Sequence, residues 1–235
     1  MKVQELHPWK LDPEEAIALQ NRLRERLILE SPAQELSWVA GVDVSYDPSR
    51  GLAYAAALLF RLPELELLEQ AIACQAVDFP YIPGLLSFRE APVLLQALCR
   101  LQTEPEVILI DGQGIAHPRG LGLAAHVGLF LDRPTIGCAK SRLVGSHGAV
   151  EDLPGASAPL LYRGKVVGAA LRTKKGTLPL YISPGHRMDL PTALRLILQT
   201  CRGYRLPEPV RRAHLLVTEA KRRGGESPPG EILAE

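Results

Sequence analysis

Two aspartates stand at positions where a carboxylate could do chemistry. Asp43 lies inside an alternating apolar run, and burying a carboxylate there is costly unless a metal ion or hydrogen bonds compensate its charge. Asp111 follows the apolar run 107–110 and precedes Gly112-Gln113-Gly114. Ligands of open α/β sheets bind beyond the carboxyl ends of parallel strands, where this side chain would lie. Each residue also has a structural interpretation: Asp43 on an edge strand with one wet face, and Asp111 in an ordinary Asp-Gly turn.

Glu90 is a third candidate with a strong structural alternative. The sequence Ser87-Phe88-Arg89-Glu90 matches a capping box, in which Glu90 would only close the start of a helix. Pro92 argues against this interpretation, because a proline there removes an early intrahelical bond unless the helix starts near Ala91. Glu90 would then lie at the mouth of the helix and face the sheet.

His214 is the fourth candidate. It lies at helical spacing from Val210 and Val217, so the simplest interpretation is a buried, hydrogen-bonded core histidine. The three carboxylates have an obvious joint use, because shared carboxylates can hold two hard divalent cations that clamp a phosphodiester. The sequence therefore favours a metal-dependent phosphodiesterase, with His214 as an optional fourth member.

The elements that must position these residues change character along the chain. Asp12, Pro13 and Glu15 predict a capped helix start, and three successive strands with short turns predict an antiparallel meander. Helices then alternate with strands, which implies parallel pairing. The predicted elements are a helix over 12–30, strands over 38–46, 52–61 and 65–77, a helix over 87–101, a strand over 107–110, a helix over 121–131, a strand over 135–138, a hairpin over 160–172, a strand over 179–183 and helices over 190–202 and 208–222.

The predicted fold class is therefore α/β, with a mixed central sheet flanked by helices. We expect one domain over residues 1–223, followed by a disordered tail over 224–235. Hydrophobic residues make up 46% and charged residues 23%, which excludes a wholly disordered chain. The sequence has neither a long apolar stretch nor the apolar core of a signal peptide, so a cytoplasmic protein that does not enter a membrane is expected.

The charge is distributed unevenly along the chain. The formal net charge is only +1, yet residues 1–117 carry 9 basic and 17 acidic side chains, whereas residues 118–235 carry 18 and 9. A basic half suits a polyanionic partner, although a solvated surface could produce the same imbalance. The four cysteines form no C-x-x-C pair and stand in apolar contexts, so free buried thiols are expected.

Several segments resemble the endonuclease V family. They are residues 41–46 (GVDVSY), 79–90 (FPYIPGLLSFRE), 111–119 (DGQGIAHPR), 135–141 (TIGCAKS) and 185–187 (GHR). They occur in the family's order and span most of the chain. The family's Gly-Val-Ala-Lys stretch is Gly-Cys-Ala-Lys here, a change between small residues at Cys138.

The resemblance implies a ribonuclease-H-like core that binds Mg²⁺, with Mn²⁺ as a substitute, at Asp43, Glu90, Asp111 and the position of His214. It also implies a monomer that recognises deoxyinosine in double- or single-stranded DNA. The cut would fall at the second phosphodiester 3′ to the lesion and leave 3′-hydroxyl and 5′-phosphate ends.

The resemblance further suggests how the DNA is held. The stiff apolar loop formed by Pro80, Tyr81, Ile82 and Pro83 would act as a wedge that fills the gap left by an extruded base. By composition alone the same loop could simply cover the core. The expected phosphate contacts are Arg89, His117, Lys140 and Arg142. The expected base pocket is largely backbone, around Gly84, Leu85, Gly112 and Gly114. A phosphate contact and an ordinary solvated surface position both remain open for five further basic residues, Arg119, Arg163, Lys174, Lys175 and Arg205.

Two alternatives remain open at this point. One is a related enzyme that acts on inosine in RNA, or on branched and flapped DNA. The other is a binding module that marks lesions without cutting, which the intact carboxylates disfavour because a binder would lose nothing by replacing Asp43 or Asp111.

Overall fold

The computed structural model describes residues 1–33 and 36–224, so all but Gly224 of the expected tail lies outside the described residues. Helix α1 (Pro13–Leu23) begins with the predicted capping box, in which Asp12 and Glu15 each accept a hydrogen bond from the other's backbone amide. The helix is shorter than the predicted 12–30. Its buried face ends at Leu23, and the following 3-10 turn (Arg24–Arg26) buries no residue, so packing no longer stabilises a helical conformation there.

The strands of the described residues form one eight-stranded mixed sheet. Its strands are β1 (Trp38–Asp47), β2 (Leu52–Arg61), β3 (Glu66–Ala76), β4 (Val107–Ile110), β5 (Thr135–Ala139), β6 (Ser157–Tyr162), β7 (Lys165–Leu171) and β8 (Leu180–Pro184). The order is β3-β2-β1-β4-β5-β8-β7-β6. The pairs β1–β4 and β4–β5 are parallel and the other pairs are antiparallel. The predicted ribonuclease-H-like mixed sheet with its three-strand meander is confirmed.

Helices cover both faces of the sheet. Helices α2 (Leu86–Cys99) and α3 (Leu123–Leu131) pack on one face, and α4 (Leu190–Gln199) and α5 (Glu208–Arg222) pack on the other. Side chains of β1 alternate between the faces: Ala40 and Val42 join the core under α2, whereas Val39 joins the core under α5. By the same alternation, Asp43 points toward the face that α5 covers.

Helix α2 corrects one local prediction. It begins at Leu86, has no side-chain cap and continues through Pro92, so the capping-box interpretation of Glu90 is wrong. The Oγ atom of Ser87 instead lies 2.9 Å from Nδ1 of His126 in the core. Because the helix begins before Ala91 and its face packs on the sheet, Glu90 lies within the first two turns rather than at the helix mouth.

The cysteine prediction is only partly correct. All four thiols are free, but only Cys138 is buried, and Cys99 at the end of α2 is exposed. An apolar sequence context on a helix does not determine which way each side chain points. Within residues 1–33 and 36–224, no helix has the length and apolar character needed to cross a membrane.

Candidate metal centre and its surroundings

Two neighbouring parallel strands bring Asp43 and Asp111 together. Strand β4 ends beside Val42 of β1, and the Asp111 amide donates a hydrogen bond to the Val42 carbonyl at 3.3 Å. Asp43 is the next residue of β1, so both carboxylates lie beside the carboxyl end of β4. Single ligand atoms of Asp43, Asp111 and His214 all lie within 4.8 Å of one another. The sheet therefore assembles the two carboxylates that the sequence singled out, and α5 adds the histidine.

His214 lies beside the buried face of α5 and is partly exposed to solvent, rather than in the core. Its Nδ1 lies 2.7 Å from Oδ2 of Asp43, and its side chain is 47% exposed. The buried face of α5 contains Val210, Ala213 and Val217, and His214 follows Ala213 just beyond this face. The interpretation of His214 as a buried core histidine is therefore wrong, because helical spacing placed it near the buried face but not on it.

Electrostatic repulsion marks the carboxylate cluster. Burial, followed by repulsion from Asp111, raises the pKa of Asp43, although hydrogen bonds from His214 and the Val44 amide oppose the shift. Burial together with the charges of Asp43 and Asp111 raises the pKa of Glu90 to about 8. Glu90 is thus electrostatically part of the cluster, although it is not in the group whose ligand atoms lie within 4.8 Å.

One lysine partly compensates this negative charge. The ammonium of Lys140, directly after β5, forms an ion pair with Oδ2 of Asp111. When all three carboxylates are ionised, the Lys140 ammonium and the nearby Arg89 guanidinium still leave the cluster with excess negative charge. Carboxylate oxygens are the preferred ligands of hard divalent cations, and such an ion would offset the burial and the mutual repulsion that raise the pKa of Asp43 and Glu90. The residues present therefore fit a divalent cation.

The loop that contains Tyr81 is anchored at its ends and exposed at its centre. Phe79 and Leu85 are buried in a core cluster, and Ile82 packs partly against that cluster. Tyr81 is 73% exposed. The Arg89 guanidinium carbon lies 4.5 Å from the ring centroid of Tyr46 and 5.8 Å from that of Tyr81. The loop covers the core and also presents an aromatic ring to solvent beside a cation, so its role as a wedge stays a prediction.

The partly buried carbonyl of Gly84 joins three segments of the chain. It accepts hydrogen bonds from Nε2 of Gln20 at 3.1 Å, Nε2 of His117 at 3.0 Å and Nη2 of Arg119 at 2.6 Å. Gly84 has φ +81°, a conformation that favours glycine at this turn.

His117 binds the Gly84 carbonyl rather than facing solvent. It is 5% exposed, and its Nδ1 accepts a hydrogen bond from the Arg119 amide at 3.2 Å. Burial and the nearby Arg119 charge lower the pKa of His117 to about 4, so the ring is neutral at pH 7. The prediction that His117 contacts a phosphate is therefore inconsistent with its placement.

The remaining predicted residues are placed as follows. Leu85 is buried, Gly112 is partly buried, and Arg142 is exposed near Lys140. Gly114 is buried, and its amide donates to Oγ of Ser183 at 2.8 Å. The Gly84 carbonyl and the Gly114 amide are thus already paired within the protein. The base pocket in this backbone stays a prediction, and its hydrogen bonds to the base would come from other backbone atoms.

The sequence alone did not predict the contacts of three residues that shape this region. Gln20 and Arg119 hold the Gly84 carbonyl, and Tyr46 lies against Arg89. Gln20 follows Leu19 on the buried face of α1, and a glutamine on an apolar helix face is a signal that could have been used. Arg119 and Tyr46 stand inside recognised motifs, but nothing in their spacing predicts their contacts.

Comparisons with known proteins identify the family of this chain. A sequence model described as Endonuclease V matches residues 21–215. The endonuclease V of Gloeobacter violaceus is 49% identical over 212 residues, which are 89% of this chain and 86% of that protein.

Solved structures give the same result. That of the Streptomyces avermitilis endonuclease V superposes with a TM-score of 0.88 at 42% identity, covering 95% of this chain and 99% of that one. That of the Ciona intestinalis endonuclease V, in complex with a 24mer DNA containing an inosine followed by a ribo-adenosine, superposes with a TM-score of 0.79 at 25% identity, covering 89% and 98%. This chain belongs to the endonuclease V family.

Proposed function

We propose that this protein is a divalent-cation-dependent endonuclease that recognises deoxyinosine in DNA. It hydrolyses the second phosphodiester 3′ to the lesion and leaves 3′-hydroxyl and 5′-phosphate ends. The observation that carries the proposal is that ligand atoms of Asp43, Asp111 and His214 lie within 4.8 Å of one another, beside the carboxyl end of β4. The inosine-containing DNA bound by the Ciona relative supports the choice of lesion.

Asp43 and Asp111 hold the cation in this proposal, and Glu90 supplies a third carboxylate from α2. Mg²⁺ is the favoured ion, with Mn²⁺ as a substitute, because the donors are predominantly carboxylates. When bound, the ion stabilises charge that develops on the phosphodiester oxygens during displacement. A protein that only binds lesions would not need clustered carboxylates, because burial and their mutual repulsion oppose the ionisation of these groups.

His214 orients the attacking water. Its Nδ1 is held by Asp43, which fixes the plane of the ring. Within residues 1–33 and 36–224 no hydrogen bond engages Nε2, so this nitrogen is available to a water molecule. A carboxylate that holds an imidazole in one orientation is a recurrent arrangement in acid–base catalysis.

Lys140 and Arg142 contact the DNA backbone. Lys140 stands beside Asp111, so its ammonium is placed near a phosphate held at the cluster. Arg142 is exposed two residues further on. Such contacts position the strand without reading its sequence.

Tyr81 fills the space left by the extruded lesion. Its ring is exposed, and the buried Phe79 and Leu85 hold the ends of its loop. Extruding a base costs a few kcal/mol, roughly, and less when the base is mispaired. Stacking by a pre-positioned ring offsets part of that cost.

Inosine beside a ribonucleotide, or in RNA, is a second candidate substrate. The observation that favours it is the ribo-adenosine that follows inosine in the DNA of the Ciona complex. The chemistry at the carboxylates would be the same, so only substrate selection separates the two candidates.

A panel of end-labelled oligonucleotides tests both candidates. Duplex and single-stranded DNA and RNA, each with one inosine, are incubated with and without Mg²⁺. We expect a Mg²⁺-dependent nick between the first and second nucleotides on the 3′ side of inosine in DNA. Cutting of RNA alone would select the second candidate, and binding of every substrate without cutting would contradict nuclease function.

Matched aspartate variants then test the site. Asp43→Asn and Asp111→Asn should each abolish nicking and leave lesion binding within a modest factor, since an amide keeps the shape but ligates Mg²⁺ poorly. Asp47→Asn is the control, because Asp47 lies on the same strand and, among the described residues, its carboxylate contacts Ser49 and Arg50 rather than the cluster. A variant that nicks at the wild-type rate would remove that aspartate from the metal site.

A further inference from the structure

Arg205 is fixed between three segments of the chain near the carboxylate cluster. It lies in the loop between α4 and α5. Its Nε donates to the Leu178 carbonyl at 2.8 Å, and its Nη2 donates to the Pro179 carbonyl at 2.9 Å and to the Lys140 carbonyl at 2.6 Å. The carbonyl of Arg205 accepts from Oγ1 of the buried Thr173 at 2.6 Å. Both the backbone and the side chain of Arg205 are therefore held.

Lys140 is the point where this arrangement reaches the metal centre. The ladder between β5 and β8 ends at the pair Ala139 and Tyr181, so Lys140 is the first residue beyond it. The Lys140 carbonyl receives its hydrogen bond from Arg205 instead. On the other side, Nε2 of Gln113 donates to the carbonyl of Ser141 at 2.9 Å.

We propose that Arg205 is a positioning residue for the nuclease reaction and acts through Lys140. It fixes the backbone of Lys140 so that the ammonium lies beside Asp111, and it does not itself contact the DNA. The inference rests on the proposed function, because that function gives Lys140 its task at a phosphate.

The physical chemistry of the two side chains supports this division of roles. Lysine places a point charge at the end of a flexible four-carbon stem, so the position of its ammonium depends on a fixed Cα. The planar guanidinium of arginine presents several donors in a rigid fork and can bind separate carbonyls at once. The donors of Arg205 already bind three carbonyls, which leaves less of the fork for a phosphate.

Arg172 offers a matched control. Its guanidinium also binds three carbonyls, those of Val150, Glu151 and Thr177. None of these belongs to the segment 138–142 or to the carboxylates. Loss of Arg172 therefore removes a comparable clamp and an equal charge without touching Lys140.

The experiment compares Arg205→Met, Lys140→Met, the double variant and Arg172→Met in the full-length protein. The three measurements are the single-turnover rate on an inosine-containing oligonucleotide in Mg²⁺, the salt dependence of binding to it in Ca²⁺, and Tm. We expect Arg205→Met to slow cutting about 10-fold, within the range for coupled residues, and to slow it no further in the Lys140→Met background.

Binding gives a readout that does not depend on turnover. Losing the Lys140 phosphate contact should lower the slope of log Kd against log salt by about 1. Arg205→Met should lower the slope by the same amount, and the double variant should lower it no further. Arg172→Met should lower Tm while leaving the slope and the rate per folded molecule unchanged.

Equal slowing by Arg205→Met in both backgrounds would overturn the inference, and so would a loss of Tm alone. If Arg205→Met does not fold, Arg205→Lys keeps the charge but binds fewer carbonyls. It should slow the wild-type enzyme and not the Lys140→Met variant, and equal slowing of both would again overturn the inference. A wild-type protein that never cuts would refute the proposed function instead, and the salt slopes would still test the link between Arg205 and Lys140.

Discussion

The Nδ1 atom of His214 lies 2.7 Å from Oδ2 of Asp43, which joins α5 to β1 across 171 positions of the chain. The contact depends on how closely α5 packs against β1. A Cβ atom at Gly41 would lie 2.2 Å from the backbone carbonyl carbon of Pro209, so only glycine permits this approach. The geometry of the site is thus set by packing two residues away from Asp43.

Replacing His214 should impair cutting more than stability. His214→Ala should slow single-turnover cutting by a factor on the order of 10²–10⁴, the usual range for acid–base assistance. The side chain is 47% exposed, so Tm should change little. Leu215→Ala is the control, because Leu215 is the next residue of α5 and is 55% exposed. Wild-type cutting by the histidine variant would exclude His214 from the chemistry.

The carboxylate of Glu90 should make the metal-free protein sensitive to pH. Burial, Asp43 and Asp111 raise its pKa to about 8 in the folded protein, above the ordinary 4.5. The contribution of protonated Glu90 to the free energy of unfolding is fully present below the unfolded pKa of 4.5 and is lost as pH rises through about 8. Glu90→Gln cannot ionise, so in EDTA its Tm should increasingly exceed that of the wild type between about pH 5 and pH 9, by roughly 2–4 °C for each kcal/mol.

Saturating Mg²⁺ is the control for the Glu90 experiment. A bound cation favours the ionised carboxylates, so Mg²⁺ should raise the wild-type Tm most at the alkaline end and raise that of Glu90→Gln less. Parallel curves of Tm against pH for the two proteins in EDTA would show that Glu90 does not carry the raised pKa.

The sequence predicted the strands and the two aspartates well because both depend on local patterns. Alternation in β1 and the short apolar run of β4 predict two neighbouring strands. Asp43 and Asp111 each come directly after the paired residues Val42 and Ile110, so the two carboxylates lie side by side. The local pattern around Glu90 suggested a helix cap, and the start of α2 at Leu86 contradicted it. Helix starts are harder to locate because tertiary packing decides between competing residues.

Nonlocal contacts explain the errors at the histidines. His214 shares its helical spacing with core residues, and only the packing of α5 on β1 shows that it reaches Asp43. His117 stands in a polar motif, yet it is buried, with Nε2 donating to the Gly84 carbonyl and Nδ1 accepting from the Arg119 amide. Single-sequence periodicity contains no information on these approaches between distant segments.

Tyr81 should contribute to lesion affinity and little to general DNA affinity. Base–aromatic stacking is worth about 1–3 kcal/mol, so Tyr81→Ala should weaken binding of deoxyinosine DNA by roughly 5- to 150-fold. Tyr81→Phe should lose little, because the ring face is retained. Undamaged duplex should bind almost unchanged, since phosphate contacts dominate there. Band-shift titrations in Ca²⁺ measure all three proteins, and an equal loss on both DNAs would contradict the wedge.

A substitution at Gly41 should separate His214 from Asp43 without removing any functional group. In Gly41→Ala the added methyl meets the Pro209 backbone, which cannot rotate away as a side chain could, so the start of α5 must move from β1. Overpacking of this kind costs about 1–3 kcal/mol, which corresponds to a Tm lower by roughly 2–12 °C. The same movement should lengthen the contact between His214 and Asp43, so the cutting rate per folded molecule should fall as well. Gly148→Ala is the control, because a Cβ there meets nothing within 4 Å. Wild-type Tm and rate in Gly41→Ala would show that α5 can shift without disturbing the site.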